Sequence, residues 1–355
     1  MKFKSITKAM LMTAGLGTRL RPFTLLKTKA LLPLLGDPIS QYTIDSLAYC
    51  GVSSVVANLH HHFEKSRVGL SCLDFHGGQL SLSDESDCIL GSAGGIRKAI
   101  HHFGNDPFYL ANADVLCDID WTALARQHHR LRSQWGVSLT LAIFPKGPSG
   151  GAYREIQLDS SGQLILGLGD VMPYRPFFVG AAVLEPEAFW SLPAESPADF
   201  IDTILRPAIQ RGKAGAFLTS GSWYDIGTPE LWLNTHLQMI NRMEIGNFPS
   251  PISRLWKNRI ESTNWRFGER VWISKKSRHL LLGKESIVSL FDWAAPMYWD
   301  GRGEKLIRAP KNCGPQAVVY GDPSNSLDLK NGIGFGEYWV SCLPIQNQTL
   351  ALTNS

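Results

Sequence analysis

Gly15, Gly17, Arg19 and Lys29 lie near the start of the chain, within Ala14-Gly15-Leu16-Gly17-Thr18-Arg19-Leu20-Arg21-Pro22 and Lys29-Ala30-Leu31-Leu32-Pro33. Glycines lack Cβ, so the backbone there can take positive φ and approach a ligand with consecutive N–H groups turned toward an anion. Arginine grips phosphate oxygens in a bidentate fork, while lysine acts as a mobile point charge. The chemistry open to this set is the seating and neutralising of a phosphate. A second string, Leu90-Gly91-Ser92-Ala93-Gly94-Gly95-Ile96, places small residues where a flat ring can lie against the backbone at the start of a helix, whose N-terminus favours negative charge. Without a ligand, the same string is a glycine-rich helix start. Asp114 closes the apolar run from Pro107 and is a natural metal ligand, and Asp225 sits in the aromatic turn Gly221-Ser222-Trp223-Tyr224-Asp225-Ile226-Gly227-Thr228-Pro229. A turn aspartate can equally satisfy local N–H groups.

The elements that must position these residues are legible from pattern. The short apolar run Lys8 to Thr13, stopped by two glycines, reads as a buried strand entering a tight turn. Ser40 to Tyr49 reads as an amphipathic helix with its stop at Gly51, and Val52 to Leu59 as a strand leading into His60-His61-His62. Three consecutive histidines point in different directions and cannot easily share one ion, so they read as a surface loop. The run ending at Asp114 puts a carboxylate at the carboxyl edge of a parallel sheet, where α/β proteins bind ligands. Asp118 or Asp120 suits the cap of the helix that follows better than Asp114 does. Val137 to Ile143 is β-rich. Tyr153 to Leu158 and Gln163 to Leu168, separated by Asp159-Ser160-Ser161-Gly162, read as a hairpin. Phe177 to Leu184 is a further strand, and helices are expected around Pro186 to Leu192, Asp199 to Gln210 and Glu230 to Met243. Gly246-Asn247-Phe248-Pro249-Ser250-Pro251 reads as a linker, followed over 252–344 by tryptophans, glycines and short β-rich runs. The expected domains are 1–245 and a β-rich 246–355.

At 355 residues the chain suits one large α/β domain with a smaller module. With 44% hydrophobic and 19% charged residues, a sizeable core is available. The net charge of +4 is small and the basic residues are scattered, which argues against a nucleic-acid surface. The apolar stretch near the start is broken by glycines and arginines before it reaches the length of a secretory signal, and no stretch approaches the ~20 apolar residues of a membrane span. Cys50, Cys72, Cys88, Cys117, Cys313 and Cys342 form no Cys-x-x-Cys pair and read as reduced, mostly buried thiols of a cytoplasmic protein.

The glycine string fits neither the Walker pattern, which closes on Gly-Lys-Ser/Thr, nor the dinucleotide fingerprint, which needs a small residue where Arg19 stands. Ala-Gly-x-Gly-Thr-Arg-Leu-x-Pro followed by Lys-Ala-x-Leu-Pro resembles the signature of the sugar-1-phosphate nucleotidyltransferases. The resemblance covers residues 8 to about 240, across four strings in order. It implies a Rossmann-like α/β fold, with a mixed, mainly parallel sheet flanked by helices. It further implies nucleotide contacts from Ala14, Gly15, Gly17 and Thr18, with Gly91 and Ser92 at the nucleobase, and phosphate neutralisation by Arg19 and Lys29. Asp114 and Asp225 would hold Mg²⁺, and Gly151 and Gly180 would line the sugar pocket.

The expected substrates are an NTP, either UTP or GTP, and a sugar 1-phosphate. Neither nucleic acid nor membrane is a partner, and assembly with further copies of the chain is left open. The sequence departs from the family pattern at Ala113, where relatives have glycine, and at Leu166-Gly167-Leu168-Gly169-Asp170, near the place of a Glu-Lys-Pro string. Some relatives append a left-handed β-helix, for which no clean six-residue repeat stands here. The competing readings are a metal-dependent glycosyltransferase using Asp118 and Asp120, and a non-catalytic nucleotide-sugar sensor.

Overall fold

The structure, a computed structural model, describes residues 5–147 and 153–266 together with the strands 272–274, 280–281, 288–291, 307–308, 317–320, 332–335 and 338–341. The chain opens with strand β1 (Lys8–Met12), whose central residues are fully buried. Strands β2 (Pro33–Leu34) and β3 (Asp37–Pro38) form a small hairpin ahead of helix α1 (Ile39–Tyr49). Then follow β4 (Ser54–Leu59), α2 (Phe63–Ser71), β5 (Gln79–Asp84), α3 (Gly91–Ala99), β6 (Phe108–Asn112), β7 (Val115–Cys117), α4 (Trp121–Trp135) and β8 (Leu139–Phe144). The expected hairpin is β9 (Arg154–Leu158) with β10 (Ile165–Val171), paired antiparallel. After β11 (Phe177–Leu184) come a π-helical turn Ile201–Leu205, α5 (Arg206–Gln210), β12 (Ala214–Leu218) and β13 (Trp223–Asp225), then helices α6 (Pro229–Ile245) and α7 (Pro251–Thr263).

The main sheet has the order β10-β9-β11-β6-β1-β4-β5, with β8 beside β11 and β12 beside β8. Strands β6, β1, β4 and β5 run parallel, whereas β11 runs antiparallel to β6, β8 and β9. This is the expected mixed, mainly parallel sheet with helices on it. After β1 the chain builds β4 and β5 on one side, then crosses to place β6 on the other. The order therefore reverses at β1, and Met12 lies opposite Asn112 where the two strands end. A reversal of this kind opens a crevice at the carboxyl ends of the strands, the preferred ligand position of open α/β sheets. The apolar core beneath is built from Met10, Val56, Ile96, Phe108, Leu141 and Leu184 among others, with Phe103 stacked on Phe108 at 3.9 Å.

By packing, the chain forms two units. The first includes residues up to Leu16 and Thr43–Trp223, and the second includes Gly17–Tyr42 and Tyr224–Asn347. The expected boundary between 245 and 246 thus falls inside the second unit. Its neighbourhood also differs in kind, because Pro251–Thr263 is helical where β-rich sequence was expected. Ile252, Trp256 and Ile260 recur every four residues and are buried, Ser250 Oγ accepts the Ser253 N–H at 2.9 Å, and Lys257 pairs with Glu261 at 3.3 Å. Periodic burial and a capped first turn are what stabilise a helix of this length.

Beyond α7, the strands Asn264–Arg266, Trp272–Ser274, Val288–Phe291, Ala317–Tyr320, Gly332–Phe335 and Tyr338–Ser341 pair in that order. Leu280–Leu281 and Ile307–Arg308, which alternate with them in sequence, pair with each other in parallel. In the first ladder Trp272–Ser274, Val288–Phe291, Ala317–Tyr320 and Gly332–Phe335 pair in parallel, while the strand at each end pairs antiparallel.

Candidate active site

The first unit carries the expected site residues that lie at the strand ends. Past Met12, the Thr13 N–H donates to Asn58 Oδ1 at 2.8 Å and the Ala14 N–H to the same oxygen at 3.4 Å, which holds the loop as it leaves the sheet. Gly15 is exposed, and a Cβ built on it would meet nothing within 4 Å. On the adjacent strand end, the Ala113 N–H donates to the Met12 carbonyl at 3.3 Å, so Asp114 emerges next to the loop's root. Asp120 Oδ1 accepts the Ala123 N–H at 2.8 Å and caps α4, so the capping post is filled by another carboxylate than Asp114. Ala113 is buried.

The Leu90–Gly95 string has protein neighbours that the sequence did not disclose. Gly91 has φ +70°, and a Cβ there would lie 2.8 Å from the Ala198 carbonyl oxygen; one at Gly94 would lie 2.6 Å from the Ser196 carbonyl oxygen. The Ala93 N–H donates to Ala198 O at 2.9 Å and the Gly94 N–H at 3.2 Å. Ser92 Oγ accepts the Phe200 N–H at 2.8 Å. The Ala93 and Gly94 amides in the first turn of α3 are thus engaged by the 196–200 segment. Glycine is required there because backbone approaches backbone.

Gly180, expected at the sugar, has φ +86° on β11 and faces the Asn112 side chain, whose amide nitrogen would lie 2.9 Å from a Cβ. Trp223 closes nearby, donating Nε1–H to the Val179 carbonyl at 3.2 Å and meeting Phe177 edge-on at 4.8 Å. Gly151 lies outside the described residues. Gly167, in the stretch that replaces the family's Glu-Lys-Pro string, faces the side chain of Gln157 across the hairpin. His60 to His62 form a turn after β4, with His60 Nδ1 2.7 Å from the Glu85 carbonyl. Cys50, Cys72, Cys88 and Cys117 are free thiols, of which Cys72 and Cys88 are exposed rather than buried as expected. Burial pushes the Cys50 thiol up to about 11.

The second unit carries Arg19, Lys29 and Asp225. Gly17 has φ +61°, and a Cβ there would come within 2.7 Å of the Thr24 methyl, while Thr24 Oγ1 donates to the Gly17 carbonyl at 2.9 Å. Thr18 and Arg19 lie exposed on the single 3₁₀ turn Thr18–Leu20. Lys29 and Asp225, from different strings, form an ion pair at 3.7 Å with side chains only 12% and 8% exposed. Gly227 marks where the strings meet: a Cβ there would lie 2.9 and 3.0 Å from the two Asp225 carboxylate oxygens and 3.1 Å from Arg19 Nη2.

The support for this unit comes from the helices. Trp232 of α6 donates Nε1–H to the Pro33 carbonyl at 2.8 Å and meets Phe23 edge-on at 5.2 Å; Arg259 of α7 lies 3.4 Å from Asp37. Among the described residues, no three His, Cys, Asp or Glu side chains cluster as a metal cage. The carboxylates of Asp114 and Asp225 are hard oxygen donors, and Mg²⁺ is commonly held by one or two such groups together with substrate phosphates. The donor chemistry of each carboxylate therefore suits Mg²⁺.

A glycine turn and a carboxylate on neighbouring strand ends at a sheet reversal occupy the place where open α/β proteins bind ligands, and comparison with known proteins narrows the class. Residues 8–158 match the nucleotidyl transferase family, and the chain resembles sugar-1-phosphate nucleotidyltransferases. An N-acetylmuramate α-1-phosphate uridylyltransferase of Neisseria meningitidis is 29% identical over 221 residues, covering 62% of this chain and 93% of that one. A mannose-1-phosphate guanyltransferase of Emericella nidulans is 27% identical over 232 residues, covering 64% of this chain and 62% of that one. The fold matches a UDP-glucose pyrophosphorylase complexed with UDP-glucose with TM-score 0.55, at 20% identity over 67% of this chain and 99% of that one. No helix among the described residues is long and apolar enough to cross a membrane.

Proposed function

We propose that the protein transfers a nucleoside monophosphate from UTP or GTP to a sugar 1-phosphate and releases pyrophosphate. The observation that carries this reading is the Lys29–Asp225 pair at 3.7 Å with Arg19 beside Gly227, since it gathers residues from separate stretches of the chain into one charged centre. In the reaction, an oxygen of the sugar phosphate bonds to the α-phosphorus. The bond from that phosphorus to the α–β bridging oxygen breaks, and the electron pair leaves with pyrophosphate. The attacking oxygen is already ionised near neutral pH, so no strong general base is needed. Lys29 offsets charge at the α-phosphate, Arg19 holds the leaving pyrophosphate, and the exposed Gly15 turn lets backbone amides approach the triphosphate. Mg²⁺ held by Asp114 and Asp225 would withdraw charge from the α-phosphate. Fixing the two anions in line can supply about 7–11 kcal/mol of the barrier lowering.

The glycosyltransferase alternative asks for metal-binding carboxylates at Asp118 and Asp120. Asp120 is committed to capping α4 and Asp118 is buried, with its N–H donating to Ser222 O at 2.7 Å, which favours nucleotidyl transfer. The deciding experiment screens four NTPs against sugar 1-phosphates, including N-acetylmuramate 1-phosphate and mannose 1-phosphate, with pyrophosphate release as readout. Release that needs both an NTP and a sugar 1-phosphate supports the reading, and none with any pair overturns it. Asp114→Asn and Asp225→Asn are each expected to lower turnover by orders of magnitude and to raise the Mg²⁺ concentration for half-maximal rate. Near-normal activity of both at limiting Mg²⁺ would remove the metal assignment.

A further inference from the structure

Two buried side chains that the family strings do not include link the strings that would hold the nucleotide. Asn58, at the carboxyl end of β4, is 1% exposed, and Glu85, just past β5, is 2% exposed. Asn58 Oδ1 accepts the Thr13 and Ala14 N–H groups, its carbonyl accepts the Thr13 hydroxyl, and its Nδ2 donates to Glu85 Oε1 at 2.7 Å. The other carboxylate oxygen of Glu85, Oε2, accepts the Leu90 N–H at 3.2 Å, one residue before Gly91. Gly95, one turn into α3, closes the arrangement: a Cβ there would lie 2.5 Å from Glu85 Oε1 and 2.9 Å from Asn58 Nδ2.

We infer that Asn58 and Glu85 are a positioning pair that sets the phosphate loop and the Leu90–Gly95 string at a fixed separation, through a single amide-to-carboxylate hydrogen bond. The inference rests on the reading that both strings hold one NTP. Burying a carboxylate is costly unless its oxygens are hydrogen-bonded, so mere core filling would favour an apolar pair. Burial indeed pushes the Glu85 carboxyl above its ordinary range, and the bonds from Asn58 and Leu90 only partly oppose it. What the polar pair adds is direction. Every bond it makes ends on a loop amide, a strand end or the residue before the glycine string, and a fully satisfied buried network holds its members in one geometry.

The test exchanges the two functional groups. Asn58→Asp sets carboxylate against carboxylate, and Glu85→Gln confronts a donor with a donor at either Asn58 or Leu90. When both substitutions are combined, the introduced amide can donate to the introduced carboxylate while its own carbonyl accepts the Leu90 N–H, which restores the full set of bonds. Calorimetry with UTP and GTP, below the melting temperature of every variant, is expected to show each single variant binding about ten- to a hundredfold more weakly. The double variant should recover most of that loss. Amide exchange is expected to quicken in peptides over 13–16 and 89–95 together in each single variant, although the hydrogen bonds of the Glu85 side chain end on Asn58 and Leu90. Gly95→Ala, which keeps both polar groups and pushes a methyl between them, should do the same to a lesser degree, and serves if a single variant fails to fold.

Lower melting temperatures with unchanged nucleotide affinity, or a double variant no better than the weaker single, would overturn the pairing. Wild-type protein that binds neither nucleotide would overturn the functional reading, and this inference with it. Wild-type binding with all variants equal would overturn the inference alone.

Discussion

At Gly15 and Gly17 two reasons for glycine separate. Gly17 needs it for the fold, because its φ of +61° disfavours a side chain and a Cβ would strike the Thr24 methyl at 2.7 Å. Gly15 has nothing within 4 Å of where a Cβ would stand, so packing among the described residues does not require it to stay bare. Gly17→Ala is therefore expected to lose about 1–2 kcal/mol of stability, read as a lower midpoint in denaturant. Gly15→Ala should keep the wild-type midpoint and weaken NTP binding. Equal midpoints for both variants would contradict this division. Lys29 has a different test, because it is paired with Asp225 before any substrate arrives. If it offsets charge developing at the α-phosphate, Lys29→Ala should lower kcat by about 10²–10³-fold, as loss of a transition-state donor does. KM for NTP should move less, since Arg19 and the loop amides still engage the triphosphate. An unchanged kcat at saturating NTP, with chemistry limiting, would take Lys29 out of the mechanism.

Elements show where sequence sufficed and where it stopped. Strand β1, its glycine turn and the strand ending before Asp114 were legible because each signal is contiguous: an apolar run, then a breaker or a carboxylate. Helix α7 was not, because its buried Ile252, Trp256 and Ile260 follow a proline-rich connection and sit among residues that also suit strands. Asn58 and Glu85 carried no signal, since their meaning lies in bonds between separate strand ends. The Leu90–Gly95 string was found, but two of its glycines answer to the 196–198 backbone, which no local pattern encodes. Helix α6 adds a pH dependence of its own. His236 is fully buried, its Nδ1–H donates to the Trp232 carbonyl at 2.8 Å, and burial lowers its pKa from 6.5 to about 4. The unfolded chain protonates this group first as pH falls below 6.5, so stability is lost between there and about pH 4, on the order of 3 kcal/mol in full. Denaturation midpoints of His236→Gln should fall less steeply across that window than those of the wild type, and parallel slopes would exclude the assignment.

At the scale of the molecule, the question is where the part that would hold phosphate ends. Residues Gly17–Tyr42, which include Arg19 and Lys29, pack in one unit with the chain from Tyr224 onward. Helix α7 contributes to that unit directly: Trp256 is buried with its ring 6.4 Å from Tyr224, and Arg259 faces Asp37 at 3.4 Å, on the hairpin just after the Lys29–Pro33 stretch. Removing α7 would take away the buried side chains of Ile252, Trp256 and Ile260, expose the surface that they cover, and take the guanidinium from a buried carboxylate, a loss of the kind that destabilises by about 3–5 kcal/mol. A chain ending at Ile245 is thus expected to be poorly soluble, or to melt well below the full-length protein. A chain ending at Thr263, which keeps α7, should recover a large part of that difference. The comparison is made by thermal denaturation of both with the intact protein, and NTP binding by the longer piece would show that the charged centre survives. Equal melting of the two shortened chains would mean that α7 adds nothing to the unit, and would return the boundary to 245.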